Sequence, residues 1–175
     1  SADILNALAL GREFGFELTI EGASEAHLIA SQIADAKASV ILAPLTSGGG
    51  ETGPRARYGA EAFRILRDAG VEVALSAGLD DGGGSRFVLD NARLAASVDP
   101  ESDSVRLATA GIAELLGVYD QIGSLRAGRR ADLVVWSGDP ADPASMVERV
   151  YVGGTIIYMD ASARQRPQAG NRRGR

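Results

Sequence analysis

Few residues in this chain carry obvious chemistry, and they fall in a small number of places. Asp80 and Asp81 form an acidic pair just after the apolar run VEVALSAG (71–78). If that run is a parallel strand, a carboxylate at its C-terminal end can bind a metal ion or act as a base. The same pair reads equally well as a solvated turn beside glycines. Glu21 ends the short run ELTIEG (17–22) and can face a pocket or water. His27, the single histidine, lies in the segment that follows Glu21. It can point toward the end of the sheet or stand as an ordinary helical histidine. Ser47 or Ser76 with His27 and Asp80 would supply the parts of a hydrolytic triad, but no Gly-x-Ser-x-Gly elbow presents a nucleophile. GGGETG (48–53) lacks the Gly-Lys-Ser/Thr ending of a phosphate loop, and Lys37 is the only lysine, so nucleotide binding is set aside. The loop 46–59 reads instead as an irregular, flexible lid over a strand end.

The elements that must position these residues follow from periodicity. Residues 2–13 place Ile4, Leu5, Leu8 and Ala9 on one helical face. A strand over 17–22 comes next, then a helix over 24–37 with Ser24 as N-cap. SVILAP (39–44) is a continuous apolar run, which predicts a strand buried on both faces. Helices are predicted over about 60–69, 86–97 and 104–117, with a strand at 71–78 between the first two. Alternation of strand and helix implies parallel βαβ units, hence a barrel or a doubly wound sheet. In both, the C-terminal strand edge carries the site. After Gly117 the pattern changes. IGSL, ADLVVWSGD, VERVYVGG and TIIYMD are short β-prone runs, and Gly153-Gly154 signals a two-residue hairpin.

Composition narrows the chemistry further. There is no cysteine, which excludes a disulfide framework, a thiolate zinc site and a Cys nucleophile. One histidine excludes any site that needs two from this chain alone. Acids number 23 and bases 18, for a net charge of −5. Five of those bases are arginines within 161–175, leaving 13 against 23 acids in the first 160 residues. So acidic a body argues against a nucleic-acid partner. The last 15 residues read as a disordered basic tail. No run of 18 apolar residues is present to span a membrane. The N-terminus has neither a signal-peptide pattern nor an initiator Met, and the chain reads as a piece of something longer. Absent cysteine fits cytoplasm and periplasm alike, and the compartment is left open.

One stretch is specific. LATAGIAELLG, then IGSLRAGRRADLVVW, then VERVYVGGTIIY (107–158) resembles the C-terminal signature of the amidohydrolase superfamily of metal-dependent hydrolases. ADILNALALGREFG, ELTIEGASEAHLIA, SVILAP and VEVALSAGLDD are similar, in that order, to the late barrel units of its imidazolonepropionase-like branch. The resemblance implies an α/β fold: part of a TIM (β/α)8 barrel, about the last three strands with their helices over 1–117, and part of a small antiparallel β-domain over 118–160. It implies a small-molecule substrate with a hydrolysable C–N bond, such as a cyclic or dipeptide-like amide, and one or two divalent metal ions, zinc first among them. Asp80 would be metal ligand and general base, with Asp81 as fallback, and His27 a second ligand or substrate contact. Arg55 and Arg57 would meet an anionic substrate group, and Glu21 would be a further substrate contact. A homo-oligomer is compatible with all of this. The family's early strands, with their His-x-His, have no counterpart here. Glu21-Gly22-Ala23 stands where Glu-His-Gly is common. The isolated chain is therefore expected to be inactive. The competing reading is a divergent, non-catalytic relative that binds a ligand or partner.

Overall fold

In the computed structural model, residues 2–42, 45, 54–76, 88–99 and 101–161 are described, with backbone only for 54–58. The chain divides into two compact units, Ser1–Tyr119 and Asp120–Arg175. The first unit alternates helix and strand: α1 (Ala2–Phe14), β1 (Thr19–Glu21), a 3-10 turn (Ala26–Ile29), α2 (Ala30–Asp35), β2 (Ser39–Leu42), α3 (Pro54–Asp68), β3 (Val73–Leu75) and α4 (Val88–Val98). It closes with α5 (Ser104–Arg106), a π turn (Leu107–Gly111) and α6 (Ile112–Leu115). Its three strands form a parallel sheet in the order β1-β2-β3. Ile20 pairs with Val40, and Val40 with Val73. The second unit is an antiparallel meander of β4 (Leu133–Trp136), β5 (Val147–Val152) and β6 (Thr155–Met159). The fold is thus mixed α/β, with one parallel and one antiparallel sheet.

Hydrophobic alternation explains which sheet face is packed. Val40, Leu42, Val73 and Leu75 point to one side and join Ile33, Phe63, Leu66 and Ala92 in the core. Phe63, Ile33 and Leu66 are fully enclosed. A three-residue strand cannot stand alone, and burial of this face against helices holds the sheet together. At the end of α4, the Ser102 hydroxyl, followed by the Glu101 amide and the Arg67 guanidinium, holds the Asp99 carboxyl below its ordinary value. Asp103 then caps α5 through the amides of Val105 and Arg106, at 2.8 and 3.1 Å.

Several expectations need correction. In β2, the described part of the run 39–44, the two faces are not equally buried: Val40 and Leu42 are buried while Ser39 and Ile41 are half-buried. In α1 only Ile4 and Leu8 are buried, and Leu5 and Ala9 face out. Both are one step along the chain from the residue that packs, so they rotate off the narrow contact stripe. Ser24 does not cap a helix with its side chain; the chain first makes a 3-10 turn with no side-chain cap. The third helix starts at Pro54, not near residue 60, so Arg55 and Arg57 lie in its first turn rather than in a loop. Pro54 suits that start because its missing N–H would have no helical partner there. The last helix is interrupted by the π turn, where the Thr109 hydroxyl donates to the Val105 carbonyl at 2.6 Å and Arg106 pairs with Glu114. IGSL is not a strand. Gly123 turns the chain at φ 87°, and Arg129 donates to the Ser124 hydroxyl.

The hairpin signal holds. Val152 pairs with Thr155, and Gly153 and Gly154 have φ of 56° and 81°. Two successive left-handed residues are what a tight turn matching the strand twist requires. The expected disordered tail falls almost wholly on residues 162–175, outside the described ones.

Candidate active site

Parallel register brings the C-terminal ends of β1, β2 and β3 to one edge. There Glu21, Ile41 and Ala74 lie in one row across the sheet. Partners in a parallel ladder share a face, and so do residues two apart on one strand. Glu21 and Ser76 therefore stand on the same side, opposite the helix-packed core. The Ser76 hydroxyl donates to Glu21 Oε1 at 3.2 Å, bridging β1 and β3 over the end of β2. Backbone bonds extend the ends on which this bridge rests: the Gly22 amide donates to the Ile41 carbonyl at 3.0 Å, and the Ser76 amide to the Leu42 carbonyl at 2.8 Å. At the opposite end of the same face, Ser39 donates to Glu72 Oε2 at 3.4 Å. This side of the sheet is thus polar at both ends, with an exposed, oriented carboxylate at the edge where parallel sheets carry their sites.

Gly22 follows Glu21 with φ of 73°. Its would-be Cβ meets nothing within 4 Å, so backbone conformation, not crowding, favours glycine. The turn it makes leads to Ser24 and the 3-10 turn that carries His27. The Nδ1–H of His27 donates to the Ser24 carbonyl at 3.1 Å. A carbonyl can only accept, so this contact ties Nδ1 of the ring to the turn after β1.

The geometry brings Glu21 and Ser76 together, and sets His27 in the turn after β1. By residue type alone, Ser76 suggests a nucleophile. Its partnership with Glu21 depends on strand register, and their 55-residue separation hides it from local pattern. Asp80, Asp81 and the glycine-rich stretch 46–53 lie outside the described residues, as do the side chains of Arg55 and Arg57. Among the described residues, no group of three or more His, Cys, Asp or Glu could hold a metal ion. The described residues do not make a metal centre by themselves. Nor, among them, is any helix long and apolar enough to cross a membrane.

The profile of the Amidohydrolase family matches residues 15–159. The chain belongs to the amidohydrolase family. An amidohydrolase from Thermotoga maritima MSB8 shares 35% identity and superposes with a TM-score of 0.75 over 91% of this chain and 42% of its own. A prolidase complexed with N-methylphosphonate-L-proline is 24% identical, with a TM-score of 0.66 over 89% of this chain and 43% of its own. That second likeness is one of fold. Amidohydrolase tasK of Hapsidospora irregularis is 33% identical over 61 residues, 35% of this chain and 6% of that protein. The chain thus spans less than half the length of the relatives it matches. Its kinship is with hydrolases.

Proposed function

We propose that these 175 residues are the C-terminal part of a metal-dependent amidohydrolase of the imidazolonepropionase-like branch, cleaving a C–N bond in a small cyclic or dipeptide-like amide. β1, β2 and β3 are then the last three strands of an eight-stranded barrel, and β4 to β6 part of its small β-domain. The observation that carries the reading is the parallel sheet itself. Its helices cover one face, and its other face ends in the Glu21–Ser76 bridge at the C-terminal edge. In a barrel that second face turns inward, and the C-terminal edge is the floor of the active site. In this reading Asp80, on the segment leaving β3, is the carboxylate that takes a proton from the attacking water and also a ligand of a divalent ion, zinc first. His27 is a second ligand or substrate contact. Arg55 and Arg57 meet an anionic group of the substrate, and Glu21 holds a hydrogen-bond donor of it. The remaining ligands come from parts of the protein that these residues do not include. The isolated chain is therefore inactive.

A second reading has an observation of its own. Gly22 occupies a left-handed position where the resemblance to the family leads one to expect a histidine, and this favours a divergent relative that binds without catalysis. Metal removal separates the two. The longest product of the reading frame, treated with a chelator, loses hydrolysis of small amides and regains it with added zinc if the first reading holds. Folded protein with no hydrolysis at any metal load supports the second.

A further inference from the structure

The Glu21 carboxylate is only partly committed. Its Oε1 accepts from the Ser76 hydroxyl at 3.2 Å. A carboxylate has about four acceptor sites, so this bond leaves Oε2 to a donor from outside the sheet. Ser76 is well placed to hold Oε1. Its own amide is bonded to the Leu42 carbonyl at 2.8 Å, and a serine side chain has a single heavy-atom torsion to set. Glutamate has three torsions, and tying one oxygen removes much of that freedom before a ligand arrives.

The charge of Glu21 is oriented but not neutralised. Among the described residues, no arginine, lysine or histidine pairs with it. In the same unit Arg64 pairs with Asp68, Arg67 with Asp99, Arg93 with Asp90 and Arg106 with Glu114. A serine hydroxyl supplies a dipole and no positive charge. Once covered, a carboxylate without a cation is costly, so a ligand that covers Glu21 binds best if it brings the cation itself. The Ser39–Glu72 bond, at 3.4 Å on the same face, is chemically alike but lies at the N-terminal edge, away from the candidate site.

We propose that Ser76 is a positioning residue that acts through Glu21, and that the pair selects amides carrying a protonated amine, whose N–H groups meet Glu21 Oε2. The inference rests on the reading of this sheet edge as a substrate site. It narrows the substrate from small amides in general to those with a free ammonium group.

The test uses the longest product of the reading frame and a panel of dipeptides, each paired with its N-acetyl derivative. The two members of a pair differ at the ammonium group. The unaltered protein is expected to prefer the free-amine member by about 10- to 100-fold in kcat/KM, as a hydrogen bond to a charged group allows. Glu21→Gln abolishes the preference. Ser76→Ala narrows it by about 2- to 10-fold, the range for one hydrogen bond, through a higher KM for the free-amine member rather than a lower kcat. Ser76→Thr, which keeps the hydroxyl, restores it, and Ser39→Ala leaves it whole. Equal losses on both members in Ser76→Ala overturn the proposal, as does a fall in kcat that threonine does not restore. Hydrolysis without preference for free amines overturns the proposal and leaves the hydrolase reading standing. If no amide is turned over, calorimetry with the same pairs decides. Tighter binding of the free-amine members, lost in Glu21→Gln, upholds the proposal and removes only the catalytic reading. Binding without that preference, or no binding of either member, overturns it.

Discussion

On the proposed function, Asp80→Asn, made in the longest product of the reading frame, is expected to lower the hydrolytic kcat by about 10²- to 10⁴-fold, the usual contribution of a positioned general base. The asparagine is nearly isosteric but cannot accept a proton from water at neutral pH. Overall folding should be unaffected, because the substitution lies on a polar segment beyond the buried strand β3 rather than within it. Asp81→Asn is the matched control, expected to leave kcat near that of the unaltered protein. Steady-state kinetics on both variants, with circular dichroism to confirm folding, decides the assignment. Loss at Asp81 alone would transfer the role to that residue. Unchanged kcat in both would remove the acidic pair from the mechanism.

Phe63→Ala has the largest effect expected on stability, about 3–5 kcal/mol. Phe63 is 0% exposed and sits in the cluster that joins α3 to the packed face of β2 and β3. Truncation removes most of an aromatic side chain from a region where Ile33, Leu66 and Val40 are also fully enclosed, so collapse around the void is limited. Against a typical domain stability of about 5–15 kcal/mol, such a loss lowers the urea midpoint sharply or prevents folding. Phe63→Leu, which keeps the site largely filled, should cost much less and shows whether the void is the cause. A loss below about 1 kcal/mol for the alanine variant would mean that this core does not hold the sheet.

The long-period features were legible in the sequence, and the short-range geometry was less so. Alternation of ELTIE, SVIL and VEVAL with helical segments indicates a parallel sheet, because each strand needs a crossover to return alongside the last. Gly153-Gly154 marks the hairpin because only such a pair turns so tightly. Composition did not reveal that α3 begins at Pro54, since the glycines ahead of it suggest loop up to Gly59. Nor did periodicity reveal the π turn at Leu107–Gly111. A single turn with i→i+5 hydrogen bonds has no residue-type signature in LATAG. At the candidate site, Glu21 was legible as a strand-end acid. Its partner Ser76 was not, because their meeting is set by register across three strands. His27 was legible as a chemically capable residue, whereas its contact with the Ser24 carbonyl depends on a 3-10 turn that sequence reads as plain helix.

The most direct measurement compares zinc-dependent hydrolysis of a panel of small cyclic amides and dipeptides by two proteins: these 175 residues alone, and the longest product of their reading frame. If this is part of an amidohydrolase whose site is completed elsewhere in the protein, turnover appears only in the longer product. Zinc-dependent turnover by the 175-residue chain alone would contradict the account.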